Sequence, residues 1–135
     1  MLNEKDVQEK FQQFQVLQQH IEQISEQVKL MNQHNLELDA SLEAVKGLDK
    51  MMLEMEVLTP LANGIFLKTR LQDNNTLLVN VGADTVVEKK AGEVSQLLSM
   101  QKQEILLRIA EAENLLQQLS EQANKIYQEV EENVR

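Results

Sequence analysis

Apolar residues recur at alternating intervals of three and four through the first part of the chain. A stripe sustained over more than five heptads is typical of a coiled-coil seam. The pattern predicts a helix from Asn3, its N-cap, to about Met55. Gly47 marks either a bend or the end of the coiled coil, and we expect residues 47–55 to lead into the strands. Asn35 lies at an a position, where a polar residue fixes register at some cost in stability. The stripe comprises Phe14, Leu17, Ile21, Ile24, Val28, Met31, Asn35, Leu38, Leu42, Val45, Asp49 and Met52.

A second stripe with the same spacing runs through the last part of the chain, and all its members are apolar. It predicts a helix from Glu93 to Val134, opened by Ala91 or Gly92. Two helices of similar length favour antiparallel pairing, which brings both chain ends to one tip. The seam of this helix comprises Ile105, Ile109, Ala112, Leu116, Leu119, Ala123, Ile126 and Val130.

Between the helices, residues 56–90 become β-branched and alternate between apolar and polar positions. Asn63-Gly64 predicts a two-residue type I′ hairpin turn. Pro60 lacks a ladder donor, so its strand belongs at an edge or a bulge. Gly82-Ala83-Asp84 predicts a second tight turn. The predicted strands are Val57–Ala62, Ile65–Leu71, Thr76–Val81 and Thr85–Lys90.

Four short strands are too few to close a barrel, since about eight are needed to enclose a side-chain-filled interior. Open apolar edges invite pairing with other chains. The strands therefore either form a small sheet covered by their own helices or complete a larger barrel with other subunits. The number of aliphatic side chains favours the barrel. Its expected assembly residues are Ile65, Leu67, Leu77, Val79, Val81 and Val87.

The predicted fold class is α+β: a long antiparallel two-helix coiled coil joined by two β-hairpins that assemble into an oligomeric β-barrel. The corresponding domains are residues 1–55, a helix; residues 56–90, the hairpins that drive assembly; and residues 91–135, a second helix.

Apolar residues crowd the tip of the predicted coil, and Phe11, Val16 and Tyr127 point away from its seam. Exposed apolar surface at a helix end is either a binding site or packing that closes the last heptad. The residues at the tip are Leu2, Val7, Phe11, Phe14, Val16, Ile126, Tyr127, Val130 and Val134.

Charge and composition exclude several kinds of function. The net charge of −9 disfavours nucleic acid and anionic membrane surfaces, both of which bind Lys and Arg. We expect Lys68, Arg70, Lys89 and Lys90 to protect sheet edges.

The chain has no cysteine, and we expect no signal peptide and no transmembrane helix. His20 and His34 lie about 21 Å apart on one helix, too far to share a metal. No nucleophile–base pair appears, so we expect no enzyme activity and no cofactor.

The segments LTPLANGIFLK (58–68) and LVNVGADTVVEKK (78–90) resemble subunits of the prefoldin family, in particular its α class. Subunits of the β class carry one hairpin instead of two. The topology resembles the family over the whole chain, whereas the similarity in individual residues lies in the strands. Asp84 departs from the small residue, often Gly, that is expected in its turn.

The resemblance implies a cytoplasmic hexamer of two α-type and four β-type subunits, with a double β-barrel platform and six coiled coils. It also implies that the tip residues hold unfolded polypeptide and pass it to a group II chaperonin without ATP. The partners would be β-class subunits, unfolded clients and the chaperonin. A structural coiled-coil module that forms assemblies or filaments is the alternative.

Overall fold

A computed structural model describes residues 2–134 of the chain, with side chains described for residues 2–132. The order of elements is helix, two hairpins, helix, as the sequence predicts. Within the described residues, no helix is both long and apolar enough to cross a membrane. The elements are α1 (Glu4–Leu48), β1 (Glu56–Ala62), β2 (Ile65–Arg70), β3 (Thr76–Asn80), β4 (Val86–Lys90) and α2 (Ala91–Val134).

Helix α1 begins with the predicted cap. The Asn3 side chain accepts a hydrogen bond from the Asp6 N–H at 2.9 Å, and the Asp6 carboxylate accepts one from the Asn3 N–H at 3.4 Å. This reciprocal arrangement satisfies two of the N–H groups that have no partner within the helix.

The far end of α1 differs from the prediction, because the helix ends at Leu48 rather than near Met55. Gly47 lowers helix propensity by about 1 kcal/mol relative to Ala, and the apolar stripe loses its phase beyond it. The chain then crosses residues 49–55 in turns. Glu54 takes a left-handed φ of 68°, and its N–H donates to the Leu71 carbonyl at 2.8 Å.

The chain divides into two compact units, and the first comprises Met1–Asn35 with Glu104–Arg135. Its helices run antiparallel, because Lys10 pairs with Glu129 while Phe14 contacts Tyr127. From Phe11 to Asn35 the seam positions of α1 are buried or half-buried and every other position is exposed. The heptad prediction therefore matches the packing. Its buried core consists of Ile24, Ile105, Ile109, Leu119 and Ala123.

Asn35 keeps its predicted seam position, and its Oδ1 is buried without a hydrogen-bond donor among the described residues. A buried polar atom without a partner costs roughly 1–3 kcal/mol. Asn35 therefore raises the free energy of helix pairing at this layer. Such a cost is expected of a polar seam residue that selects one register.

The second unit, Leu36–Gln103, holds the remaining coil and both hairpins. Leu38, Leu42, Ala91 and Val94 are its buried apolar residues. An ion pair between Lys102 and Asp39 joins the two helices within this unit.

The four strands form two separate two-stranded antiparallel sheets, β1–β2 and β3–β4. In the first hairpin Glu56 pairs with Arg70 and Ala62 with Ile65, and the register is irregular between Pro60 and Ala62. The edge or bulge predicted for the strand of Pro60 is therefore present. The alternative of one small sheet is not formed among the described residues, because β2 and β3 have no ladder between them.

The hairpin at Asn63-Gly64 is confirmed, but its predicted turn type is wrong. A type I′ turn needs positive φ at both central residues, and only Gly64 has it, at 76°. The second hairpin shows the type I′ pattern instead. Ala83 and Asp84 have φ of 49° and 58°, and the Thr85 N–H donates to the Gly82 carbonyl at 2.9 Å.

Side chains and short linkers fix how the hairpins join their neighbours. Asp73 accepts hydrogen bonds from the N–H groups of Asn75 and Thr76 at 2.8 and 3.1 Å, and these bonds lower the pKa of its carboxyl. The Ala91 N–H donates to the Asn75 carbonyl at 2.7 Å. Because α2 starts at Ala91, the residue after β4, no linker separates them.

Candidate functional site

An aromatic cluster lies at the tip, where the first turns of α1 meet the last turns of α2. The rings of Phe14 and Tyr127 are 6.0 Å apart between centroids and inclined at 39°, a favourable geometry for an aromatic pair. Phe14 belongs to the seam and is half-buried. Phe11 and Tyr127 lie beside the seam, and 54% and 55% of their surfaces remain exposed. We call Phe11, Phe14 and Tyr127 the tip aromatic cluster.

An ion pair fixes the two helix ends next to this cluster. The Lys10 ammonium donates to the Glu129 carboxylate, and Lys10 occupies the seam position one turn before Phe14. The hydrogen bond from Lys10, followed by its positive charge, lowers the pKa of the Glu129 carboxyl. The pair joins the two helices at this layer of the tip.

A shallow groove continues from the cluster along the coil. Phe14, Ile21 and Ala123 form its apolar floor. Polar side chains form its walls. Because both helices contribute, the groove exists only while they are paired. We call this surface the tip groove, and its lining is Phe14, Gln18, Ile21, Glu22, Ser120, Ala123 and Asn124.

The cluster and the groove share one side of the coil. Phe11 precedes Gln18 by one heptad, and Tyr127 follows Ser120 by one heptad. Residues seven apart lie on the same side of a coiled-coil helix. The exposed rings therefore extend the tip groove toward the end of the coil, and we call the combined surface the tip face.

The hairpins form a second candidate surface in the other compact unit. Apolar side chains on both faces of the first hairpin are exposed, from 47% at Leu67 to 64% at Leu61. Its own helices therefore leave β1–β2 uncovered. In the second hairpin, Leu77, Val79 and Val87 are half-buried. Exposed apolar patches of this kind mark interaction sites.

The structure places the predicted tip residues in two groups. Phe11, Val16 and Tyr127 are exposed, as their off-seam positions predict. Val16 is not among the residues that line the tip groove. The side chain of Val134 lies outside the described residues. The half-buried members are Leu2, Val7, Phe14, Ile126 and Val130.

The predicted assembly residues also fall into two groups: Ile65, Leu67 and Val81 are exposed, and Leu77, Val79 and Val87 are half-buried. The prediction named one face of the second, third and fourth strands and no residue of the first strand. It therefore omitted other exposed residues, namely Leu58, Leu61, Phe66, Leu78 and Val86.

Sequence reasoning also missed the polar walls of the tip groove. Gln18, Glu22 and Ser120 are ordinary helix-surface residues when each helix is considered alone. Gln18 lies one heptad after Phe11, and Ser120 lies one heptad before Tyr127. The positions of the exposed rings could therefore have indicated these two groove residues. The partner of Lys10 could not be found this way, because it depends on the relative register of the helices.

Two long helices that flank paired β-hairpins, with a tip of exposed aromatics, define a coiled-coil subunit built for association. The model of the prefoldin family, described as "Prefoldin subunit", matches residues 5–135. The chain therefore belongs to the prefoldin family, a family of chaperone subunits.

Within that family the similarity is to alpha subunits. The chain is 28% identical to prefoldin subunit alpha of Archaeoglobus fulgidus over 96% of its own length and 95% of that protein. It is 26% identical to prefoldin subunit alpha of Pyrococcus horikoshii, covering 96% and 88% of the two chains.

A solved structure shares the fold. The chain matches filamentous prefoldin from Methanocaldococcus jannaschii, determined by cryo-electron microscopy, with a TM-score of 0.72 and 16% identity. The match covers 90% of this chain and 98% of the other. At this identity the comparison establishes the arrangement of helices and hairpins alone.

Proposed function

We propose that this chain is a subunit of an ATP-independent holdase, which binds unfolded polypeptide at its coiled-coil tips and delivers it to a group II chaperonin. It acts in the cytoplasm as a binding protein without enzyme activity or cofactor. The observation that carries the proposal is the tip aromatic cluster, which a chain of the prefoldin family presents at the end of a two-helix coil.

The physical basis is the burial of apolar surface that the folded chain leaves in water. Complete burial of an aromatic side chain contributes up to about 1.5–3 kcal/mol. A single tip therefore binds a client weakly, and several tips in one particle hold it by avidity. Membership of a family of subunits supports such a particle.

The hairpins supply the means of assembly in this proposal. Unpaired strand edges and exposed apolar side chains favour pairing with other chains. We assign the partners as β-class prefoldin subunits in a hetero-hexamer whose β-barrels include Ile65, Leu67, Leu77, Val79, Val81 and Val87. Neither nucleic acid nor membrane is a partner.

The test is suppression of aggregation of a denatured client by the chain together with a β-class subunit. We expect the double variant Phe11→Ser/Tyr127→Ser to need about tenfold more chaperone for the same suppression, because two exposed rings are lost from each tip. Assembly should be unchanged, because the hairpins are intact.

The matched control is Leu30→Ser/Leu107→Ser. These residues are each 62% exposed and lie on the coil away from the tip face. We expect this variant to retain full suppression. Equal suppression by the tip variant and the wild type would reject the tip as the client site.

A structural module that forms filaments is the second candidate. Two observations favour it: the fold matches a filamentous prefoldin, and the hairpins leave open edges. Light scattering separates the candidates. A closed particle that forms with a β-class subunit supports the chaperone, and an open-ended mass distribution of the chain alone supports the filament.

A further inference from the structure

The described residues of the tip face include carboxylates but no Lys or Arg. Glu22 lines the tip groove. Glu4 lies two heptads before Gln18, so it falls on the same side of the coil. The helix positions that share this side, from Glu4 to Ser25 and from Gln117 to Glu131, contain no Lys or Arg.

The nearby lysines do not neutralise this face. Lys10 is paired with Glu129 within the seam. Lys125 lines a different surface of α2 together with Gln118, Glu121 and Gln122. A ligand that reaches the tip face therefore meets aromatic rings and carboxylates, beside a lysine whose charge is already paired with Glu129.

Aromatic rings and carboxylates attract the same charge. The face of a Phe or Tyr ring carries negative electrostatic potential and attracts Lys and Arg side chains. Carboxylates attract the same cations, and a charged surface also raises the rate of encounter with a ligand of opposite charge. The apolar floor of the groove accommodates aliphatic or aromatic side chains.

We propose that the tip face selects unfolded segments in which Lys or Arg alternate with apolar residues. The occupant is a cationic, extended client segment, with its apolar side chains on Phe11, Phe14, Ile21 and Tyr127 and its cations beside Glu4 and Glu22. This inference rests on the proposed function and narrows its substrate class.

The experiment uses the full chain assembled with a β-class subunit and two labelled peptides. The peptides share the same Phe, Leu and Ser residues, and one carries Lys where the other carries Glu. Fluorescence anisotropy measures binding. We expect the Lys peptide to bind about tenfold more tightly at low salt, and this preference to shrink in about 0.5 M salt, where exposed charges are screened.

A charge variant locates the effect. Glu4→Gln/Glu22→Gln should reduce the preference for the Lys peptide to less than about threefold. The matched control, Glu9→Gln/Glu121→Gln, makes the same change in net charge at exposed positions off the tip face. It should keep most of the preference.

The outcomes separate this inference from the proposed function. Equal binding of both peptides, lost in Phe11→Ser/Tyr127→Ser, overturns the cation preference and leaves the holdase standing. Binding of neither peptide overturns both. An equal effect of the two charge variants means that net charge alone attracts the peptide, and it overturns the assignment to the tip face.

Discussion

Individual residues in this chain occupy conformations that their type does not favour. Ala83 and Asp84 both lie in the left-handed region, at φ of 49° and 58°. For an L-residue other than Gly this region costs roughly 1–2 kcal/mol, and Asp tolerates it better than Ala. The turn of the second hairpin therefore stores strain at Ala83.

We expect Ala83→Gly to stabilise the chain by about 0.5–1 kcal/mol, because relief of the left-handed strain exceeds the entropy that Gly adds to the unfolded state. Chemical denaturation measures the change. Ala110→Gly, at an exposed position of helix α2, is the control and should destabilise by about 1 kcal/mol. If both variants destabilise alike, Ala83 carries no strain.

At the scale of elements, the packing of the two helices is specified by interactions that have different pH dependence. Apolar seam contacts do not titrate, whereas the Lys10–Glu129 pair does. The pKa of the Glu129 carboxyl lies below its ordinary value of 4.5. Its contribution to stability is therefore fully present above that value and is lost as the pH falls through the lowered pKa.

We expect an NMR titration of the Glu129 carboxyl carbon to show a midpoint below 4.5 and to shift upward in Lys10→Ala, because both the hydrogen bond and the positive charge are removed. Lys5→Ala, near the same end of α1 but outside the ion pair, is the control and should leave the midpoint nearly in place. A midpoint unaffected by Lys10→Ala would contradict the pairing.

Periodic elements could be predicted from sequence better than their ends and turns. Every seam position from Phe14 to Val45 is at least half-buried, because a heptad repeat specifies which side of a helix meets its partner. The helix end predicted near Met55 and the turn type predicted at Asn63-Gly64 were wrong, although the hairpin itself was predicted correctly. Both depend on the backbone angles of a few residues, which local composition does not determine.

The candidate site was predictable in part for a similar reason. Phe11 and Tyr127 could be recognised as exposed because they fall outside the seam of their own helices. The tip groove and the Lys10–Glu129 pair require the register between the two helices. That register depends on packing along the whole seam, including Asn35.

At the scale of the whole molecule, the exposed surface of the hairpins implies that the chain functions with partners. Ile65 and Leu67 are 56% and 47% exposed, although burial of each is worth up to about 1.5–3 kcal/mol. In an isolated chain this apolar surface stays in water, and the free energy of burying it would favour association.

We expect Ile65→Asp/Leu67→Asp to abolish the complex with a β-class subunit while the chain keeps its helical content. The new charges would be desolvated in an interface but remain hydrated in the free chain. Size-exclusion chromatography with light scattering measures the complex, and circular dichroism measures the helices. Leu36→Asp, at a position of α1 that is 67% exposed, is the control and should assemble normally.

The direct passage from β4 into α2 has a mechanical consequence. Lys90 ends the strand and Ala91 begins the helix, so the first turn of α2 cannot rotate without turning β4. The other helix is separated from its strand by residues 49–55, which run in turns and are hydrogen-bonded to Leu71 through Glu54 and Met55. A load that twists α2 therefore reaches the second hairpin directly, whereas a load on α1 reaches the first hairpin only through these turns.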